Sequence, residues 1–492
     1  MKLINKLYII IAITLACLTY SQIPAFSNQL ANQNIRIGLF FNSTALPQAQ
    51  IKASNLNILN ENNSVLGTIF GDASYTVSPV NKEIILLDKT YNDLNTALIE
   101  IQTSGGLLNN NFVYLSSDGY KMATYSIQAD NVFSMINSKN IGLFSSAGNP
   151  IIVYDNSMKL KFSNSDYQKH IEIQNKPYRG NISFQLDSSN KLTVINTLPI
   201  EDYLYGVVAK EMPASWNKEA LKAQAISARN YAIKNLNKYK SLGFDLCTTQ
   251  NSQVYGGVDA EHVNTNKAVD ETRGILAYYS GNIADLFYHS SSGGKTENSE
   301  NIWSNAVPYL RGVEDPYSLG SPNDYWEYKI SKSEIENLLK NKGKNIGNFL
   351  GVRIDKISEN ERIIKLTFVG DSGETTIEKE AIRGLFGYSN LKSNWFTINS
   401  QNTKNTQSIV SDSYIAALND LQLFLNKSES NKINGYSNLS NNDIITSQDY
   451  LFQGKGYGHG LGMSQYGAKK MAEQGYTFDE ILKYYFKGID VY

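Results

Sequence analysis

Three stretches of the chain concentrate side chains able to do chemistry. The first is Glu211-Met212-Pro213-Ala214-Ser215-Trp216. Glu211 falls where one helix should end and the next begin. The negative end of the preceding helix and the apolar Val207, Val208, Met212 and Trp216 all favour a protonated carboxyl. A free Glu titrates near about 4.3, so general-acid work at neutral pH needs such help. Lys210 pulls the other way, and taken alone a glutamate at a helix end is ordinary surface. The second stretch is Tyr288-His289-Ser290-Ser291-Ser292-Gly293-Gly294-Lys295-Thr296-Glu297. Its Ser and Gly open backbone N–H groups to a ligand, and His289 and Lys295 suit sugar hydroxyls or acetamido oxygens. It lacks the GxxxxGK[ST] spacing of a phosphate loop; a plain hairpin loop with a stray His is the simpler alternative. The third is Gly454-Lys455-Gly456-Tyr457-Gly458-His459-Gly460-Leu461-Gly462-Met463-Ser464-Gln465-Tyr466-Gly467-Ala468. Glycine at every second position before a helix implies a backbone in close approach. No Rossmann frame precedes it, and the string Gly462-Met463-Ser464-Gln465-Tyr466 is not the G-x-S-x-G of a serine hydrolase.

The elements that must position these residues are legible nearby. Tyr178 to Leu186 and Leu192 to Ile195 read as paired strands turning at Asp187 to Lys191. Pro199 opens a helix over Ile200 to Lys210, with Leu204, Val207 and Val208 on its apolar face. Asn217 caps a second helix, Lys218 to Asn235. Its Leu221, Ala225, Ala228 and Ala232 recur at helical spacing and are small enough for close packing. Ile275 to Tyr279 and Ile283 to Phe287 look like strands ahead of the His289 loop. Ser464 to Glu473 reads as a helix stopped by Gln474-Gly475. Thr477 and Glu480 form a capping box for a last helix, Phe478 to Phe486. Upstream, Asn34 to Phe41, Ile84 to Leu87, Ala97 to Ile101, Phe112 to Leu115, Ile141 to Phe144 and Ile151 to Tyr154 read as short strands without a catalytic cluster. Ser400 to Ser447 is rich in Asn, Ser, Thr and Lys and reads as a surface insertion, helical only over Tyr414 to Leu425. Closing a long loop costs little extra, about 0.6 kcal/mol per doubling of length.

Composition narrows the class. With 492 residues, 41% apolar and 18% charged, the chain can build sizeable cores. A net charge of -1 does not suggest a nucleic-acid partner. The 32 Tyr beside 4 Trp and 4 His suit wet polymer surfaces, although a biased genome gives the same counts. Lys2 and Lys6, the apolar run Leu7 to Tyr20 and the small residues up to Ser27 read as a signal peptide over 1–27, with an uncleaved membrane anchor as the lesser alternative. Of the two Cys, Cys17 lies in that signal, so Cys247 is alone in the exported chain and no internal disulfide is expected.

The stretches LPIEDYLYGVVAKEMPASWNKEALKAQAISARNYA, FYHSSSGGKTENSENIW, PYLRGVEDP and GKGYGHGLGMSQYGAKKMA, in that order, resemble the SpoIID/LytB family of bacterial cell-wall proteins. The resemblance runs from about Pro177 to Ile398 and resumes from about Leu451 to Tyr492. It implies an α+β fold with an N-terminal α+β accessory region. The domains expected are 28–170 accessory, 171–399 and 448–492 as two parts of a SpoIID-like domain, and 400–447 a low-complexity insertion between them. The family includes a sporulation lytic transglycosylase that cuts peptidoglycan strands lacking stem peptides, and modulators of cell-wall amidases. Glu211 matches its catalytic acid and Arg229 an active-site arginine. His289, Ser292, Lys295, Tyr457, His459, Ser464 and Gln465 are then expected to bind glycan. The implied partners are peptidoglycan strands and a cell-wall amidase or other wall hydrolase, outside the cell or at its wall.

One departure stands out. Some members hold zinc in a Cys-x-x-x-x-Cys-Gln-Val-Tyr segment with a His before the second Cys. Here Ser252 and Asn251 occupy those two places, and only Cys247 remains. Zinc takes three or four protein ligands, so no metal and no cofactor is expected, and packing around Tyr255 must brace the cleft instead. In the implied mechanism Glu211 protonates the bridging oxygen between MurNAc and GlcNAc, then takes the proton of the MurNAc 6-hydroxyl as it closes on C1. Arg229 lies ~17 Å along its helix from Lys218, so that helix must fold back for the two to meet.

Overall fold

The computed structural model describes residues 33–103, 111–125, 132–136, 139–166, 168–400 and 444–492. The expected signal, the helix expected over Tyr414 to Leu425 and nearly all of the insertion lie outside these residues. The fold is mixed α+β and divides into two compact units. One comprises residues up to Asp285 together with Asp490–Tyr492; the other is Leu286–Ile489.

In the first unit one large sheet dominates, with 15 strands among the described residues. Asn34–Phe40, Ile84–Tyr91, Asn111–Ser116, Asn140–Phe144 and Pro150–Asp155 are strands as their apolar runs predict. Ala97 to Ile101 is not. It belongs to helix α1, Leu94–Thr103, whose first turn is capped by Asp93 accepting from Thr96 N at 2.8 Å. Leu94, Ala97, Leu98 and Ile101 are buried while Ile99 is exposed, a spacing of three and four that a strand cannot produce. The expected domain break near residue 170 falls inside the sheet. Lys161–Asn164 pairs with Ala49–Leu59 on one side and Asn181–Leu186 on the other, so the upstream region and the start of the motif region share hydrogen bonds. Asn181–Leu186 and Leu192–Pro199 form the expected hairpin, closed at Leu186 and Leu192, with the Asp187 carboxylate accepting from Ser189 N and Lys191 N in the turn. From that hairpin the chain enters α2, Ile200–Glu211, then α3, Lys218–Lys234, capped by Asn217 Oδ1 accepting from Glu219 N at 3.0 Å. Helix α4, Val263–Glu271, packs on both. Ala220, Ala223, Ala225, Ala228 and Ala232 are buried, so the small residues of α3 permit this close approach.

The second unit contains α5 (Ser299–Ile302), α6 (Lys332–Asn341), α7 (Glu380–Phe386), α8 (Gln465–Glu473) and α9 (Phe478–Tyr485). Two three-stranded antiparallel sheets share one core built on Trp326, Phe349, Phe368, Phe386, Phe396, Tyr450 and Phe452. The strand Asp449–Gly454, which follows the insertion in sequence, sits between Trp326–Ser331 and Phe396–Ser400. The chain therefore returns from 401–443 to the centre of a sheet it had already begun, and the last motif is delivered by that strand. Among the described residues no helix is long and apolar enough to cross a membrane.

Candidate active site

Glu211 is the last residue of α2, partly exposed, directly before the buried Met212. Its Oε1 accepts from the backbone N–H of Val254 at 3.2 Å. That N–H is held in place by its neighbours. Gln253 Oε1 accepts from Tyr203 on α2 and Gln253 Nε2 donates to the Ala228 carbonyl on α3. Tyr255, buried, donates to Asn196 at 3.0 Å, and Gly256 N donates to the Gly206 carbonyl at 3.1 Å. Gly206 is glycine because any Cβ there would lie 2.6 Å from the Tyr255 ring. The Gln253-Val254-Tyr255 segment is thus clamped to both helices and presents one amide to Glu211. Upstream, Cys247 N donates to Ser252 Oγ at 3.2 Å, and Cys247 Sγ lies near Ser252, Thr249 and Tyr239 hydroxyls. Hydrogen bonds and the Tyr255 packing close this segment, and no group of three metal-ligating side chains gathers among the described residues.

Arg229 is fully buried and stands beside Glu201 rather than at an accessible surface. Its Nε donates to Glu201 Oε1 at 2.7 Å and its Nη2 to Oε2 at 2.8 Å, with 0% and 1% side-chain exposure. The remaining N–H groups reach the carbonyls of Ile275 and Val269. The guanidinium therefore pins α3 to the start of α2 and to the turn after α4. An arginine so enclosed presents no surface to a glycan.

In the second unit the two remaining motif stretches are brought together by main-chain pairing. Tyr288–His289 runs parallel to Met463–Ser464, and Ser291 exchanges N–H···O bonds with Tyr457 at 3.1 and 2.8 Å. Glu297 N donates to the Gly460 carbonyl and Tyr466 N to the Ser290 carbonyl. Gly456, Gly458, Gly460 and Gly462 all have positive φ, which explains the alternation. At Gly458, with φ +116°, a Cβ would stand 2.7 Å from the His289 Cβ.

His289 and His459 lie with rings 5.6 Å apart. Both bond to the main chain of Leu461, in opposite senses. His289 Nδ1 sits 3.1 Å from the Leu461 carbonyl, which only accepts, so Nδ1 carries the proton. Its Nε2 is then an acceptor, buried and without a partner. His459 Nδ1 accepts from Leu461 N at 3.0 Å, which leaves its proton on Nε2, facing the Tyr288 carbonyl. Burial, the neighbouring Arg383 and Arg362 hold His459 down to about 3; burial, His459 and Arg362 hold His289 well below its ordinary range. Both rings are neutral near pH 7.

The other expected ligands divide. Tyr457 is partly exposed, and Lys295 is partly exposed with its ammonium 3.0 Å from Glu314. Ser292 and Ser464 are fully buried, and Gln465 nearly so. Ser292 donates to Asp315 at 2.7 Å, Tyr485 donates to the same carboxylate at 2.9 Å, and Ser464 bonds it as well while capping α8 through Gly467 N. The two serines are spent on a buried carboxylate and do not face a ligand. Burial pushes the Asp315 carboxyl up despite these donors.

Asp315 was visible only as part of the quoted Glu-Asp-Pro stretch. Arg362 lies outside the motifs, in the turn just before the strand Ile363–Gly370. Its Nη2 donates to the carbonyls of Ser292 and Lys295, both at 2.9 Å; burial lowers its pKa to about 10, which leaves it charged near pH 7. It thus clamps the serine–glycine loop from below. Trp303 ends the second motif; its partly exposed ring contacts Phe287 at 4.2 Å and His459 at 5.5 Å.

The family model described as SpoIID, stage II sporulation protein, matches residues 188–279, and a domain of unknown function, DUF8618, matches 321–414. The chain is 31% identical over 359 residues to the amidase enhancer of Bacillus subtilis (strain 168), covering 69% of this chain and 47% of that protein. It is 29% identical over 312 residues to the stage II sporulation protein D of the same organism, covering 60% and 75%. An uncharacterized protein of Brachyspira hyodysenteriae (strain ATCC 49526 / WA1) is 33% identical over 318 residues, covering 64% and 72%. The chain belongs to the SpoIID/LytB family. It spans about half the length of the amidase enhancer.

Proposed function

We propose that the chain is an exported peptidoglycan lytic transglycosylase that cuts MurNAc–GlcNAc bonds of peptide-free glycan strands, leaving 1,6-anhydroMurNAc ends. Glu211 acts alone, first as acid and then as base. Its proton goes to the glycosidic oxygen as the C1–O bond breaks. The carboxylate so formed takes the proton of the MurNAc 6-hydroxyl, whose oxygen bonds C1. The acid is regenerated and no water is consumed. One carboxyl therefore suffices, where hydrolytic glycosidases generally use two.

The observation that carries this reading is the contrast of Glu211 with the three buried acids of the motifs. Of the remaining motif acids, which are open to solvent as well, Glu219, Glu300 and Glu314 are ion-paired to Lys222, Arg311 and Lys295. Glu201 is buried against Arg229. Glu297 is buried and accepts from Asn301 and Asn360. Asp315 is buried among hydroxyls. Glu211 alone of these four is partly open to solvent, while its orientation is fixed by the Val254 amide. In the second unit, the neutral His289, with its unpartnered Nε2, and His459, Tyr457 and Lys295 are glycan-binding groups in this reading.

A second reading has its own support. The relative named amidase enhancer is 31% identical, which favours a non-catalytic wall-binding protein that stimulates an N-acetylmuramoyl-L-alanine amidase. Incubation with defined peptide-free glycan, followed by mass spectrometry of the ends, separates the two. Wild type yields anhydro ends and Glu211→Gln yields none. If wild type leaves the glycan intact yet accelerates an amidase, the enhancer reading replaces the enzymatic one; a reducing end would indicate a hydrolytic muramidase.

A further inference from the structure

Trp303 is 38% exposed, whereas Ile302 before it is buried. Its backbone is fixed on both sides. Its N–H donates to the Ser299 carbonyl at 2.8 Å and its own carbonyl accepts from Lys379. The indole rests on Phe287, with ring centres 4.2 Å apart, and its neighbour on another side is the His459 ring at 5.5 Å. The His289 ring lies 5.6 Å from that of His459. Its Nε2 is a buried acceptor without a donor, on a side chain belonging to a residue 5% exposed. A desolvated lone pair left unpaired is costly, and a ligand N–H or O–H removes that cost. An immobilised indole packed on His459, whose ring in turn neighbours such an acceptor, suits a ligand with one weakly polarised C–H face and hydroxyl or amide donors at its rim.

We propose that Trp303 is a sugar-stacking residue. In this assignment the C–H face of one N-acetylated pyranose lies on the indole, and a hydroxyl or amide of the glycan donates to His289 Nε2. The assignment rests on the glycan reading above and adds its aromatic floor. Neither histidine carries charge near neutral pH, so the floor recognises shape and hydrogen-bonding groups rather than the lactyl carboxylate.

The test uses the full chain carrying Glu211→Gln, so that substrate is not consumed, titrated calorimetrically with a peptide-free glycan tetrasaccharide. Trp303→Ala in that background is expected to weaken binding about tenfold or more, and Trp303→Tyr to keep it within about threefold. Raising salt from about 50 to about 300 mM is expected to leave affinity within about twofold, since screening acts on charges. Indole emission is expected to shift on glycan addition, and Trp303→Phe to abolish that shift while keeping most of the affinity, a readout that serves even where Trp303→Ala unfolds. If the Glu211→Gln parent binds glycan and Trp303→Ala binds equally well, the stacking role is overturned while the glycan reading stands. If the parent binds no glycan at all, both fall.

Discussion

Arg229 offers the sharpest separation of support from chemistry. Arg229→Met removes one partner of an ion pair with 0% and 1% exposure and leaves the Glu201 carboxylate with a single long donor, Gly274 N at 3.4 Å. Breaking a buried pair on one side costs about 3–5 kcal/mol, whereas replacing both partners by apolar groups of similar volume is close to neutral. Unfolding of a domain of this size in urea has a slope of about 2–3 kcal/mol per molar, so the midpoint should fall by about 1–2.5 M. The double variant Arg229→Met/Glu201→Leu should recover most of that loss and, with α2 and α3 again in register, most of the glycan cleavage. The assay is a urea titration followed by near-ultraviolet circular dichroism, alongside release of anhydro ends at temperatures where each variant is folded. A midpoint within about 0.3 M of wild type together with abolished cleavage would refute the reasoning, since a change of that size is about 1 kcal/mol or less on this slope. Arg229 would then act on Glu211 or on the glycan directly.

Two further outcomes follow from the second unit. His459 is held down to about 3 by burial, Arg383 and Arg362, while in the unfolded chain it titrates near about 6.5, so the unfolded state binds the extra proton first as pH falls. Stability is therefore full above about pH 6.5 and lost on acidification; at about pH 5 the loss is about 2 kcal/mol before screening at this partly exposed ring, or about 1–2 kcal/mol. The melting temperature should drop by about 2–8 °C between about pH 7 and pH 5, with a smaller drop in His459→Gln, and equal drops in both proteins would remove His459 from the account. Gly458→Ala and Gly475→Ala both impose a side chain at positive φ, but only the first meets a neighbour, the His289 Cβ at 2.7 Å. The strain at each is about 1–3 kcal/mol, so thermal unfolding should show Gly458→Ala as the worse of the two by a further 1–3 kcal/mol or so, and similar melting temperatures would deny the contact.

Local signals in the sequence reach as far as local causes do. Asn217 and the Thr477–Glu480 box sit at helix starts as their types predict, because a side chain that satisfies an end amide acts within three residues. The alternation of Gly456 to Gly462 is likewise a local demand for positive φ. Ala97 to Ile101 misled because five apolar-rich residues fit two periods; the arbiter, Asp93, lies four residues upstream of the run. Arg229 was legible as a family position but not as the partner of Glu201, since a contact 28 residues away leaves no periodic trace. Ser292 and Ser464 looked like ligand groups for the same reason: the carboxylate that consumes their hydroxyls, Asp315, comes from elsewhere in the chain.

Arg362 carries this point to the candidate site itself. It lies in the stretch 321–414 matched to a domain of unknown function, outside the motifs that betray the family, yet both of its bonded carbonyls belong to the serine–glycine loop. Gly460 is the residue that lets the glycine loop pass over it, for a Cβ there would lie 2.6 Å from the Arg362 Nε. One buried guanidinium thus meets both loops and, through its charge, helps keep His289 and His459 neutral. The motif loops cannot hold their geometry alone. The shape of the histidine site is set in part by a residue in the turn between the strands Phe349–Ile357 and Ile363–Gly370, where nothing in the sequence points to chemistry, so variation in 321–400 should change glycan binding in the second unit before it changes Glu211.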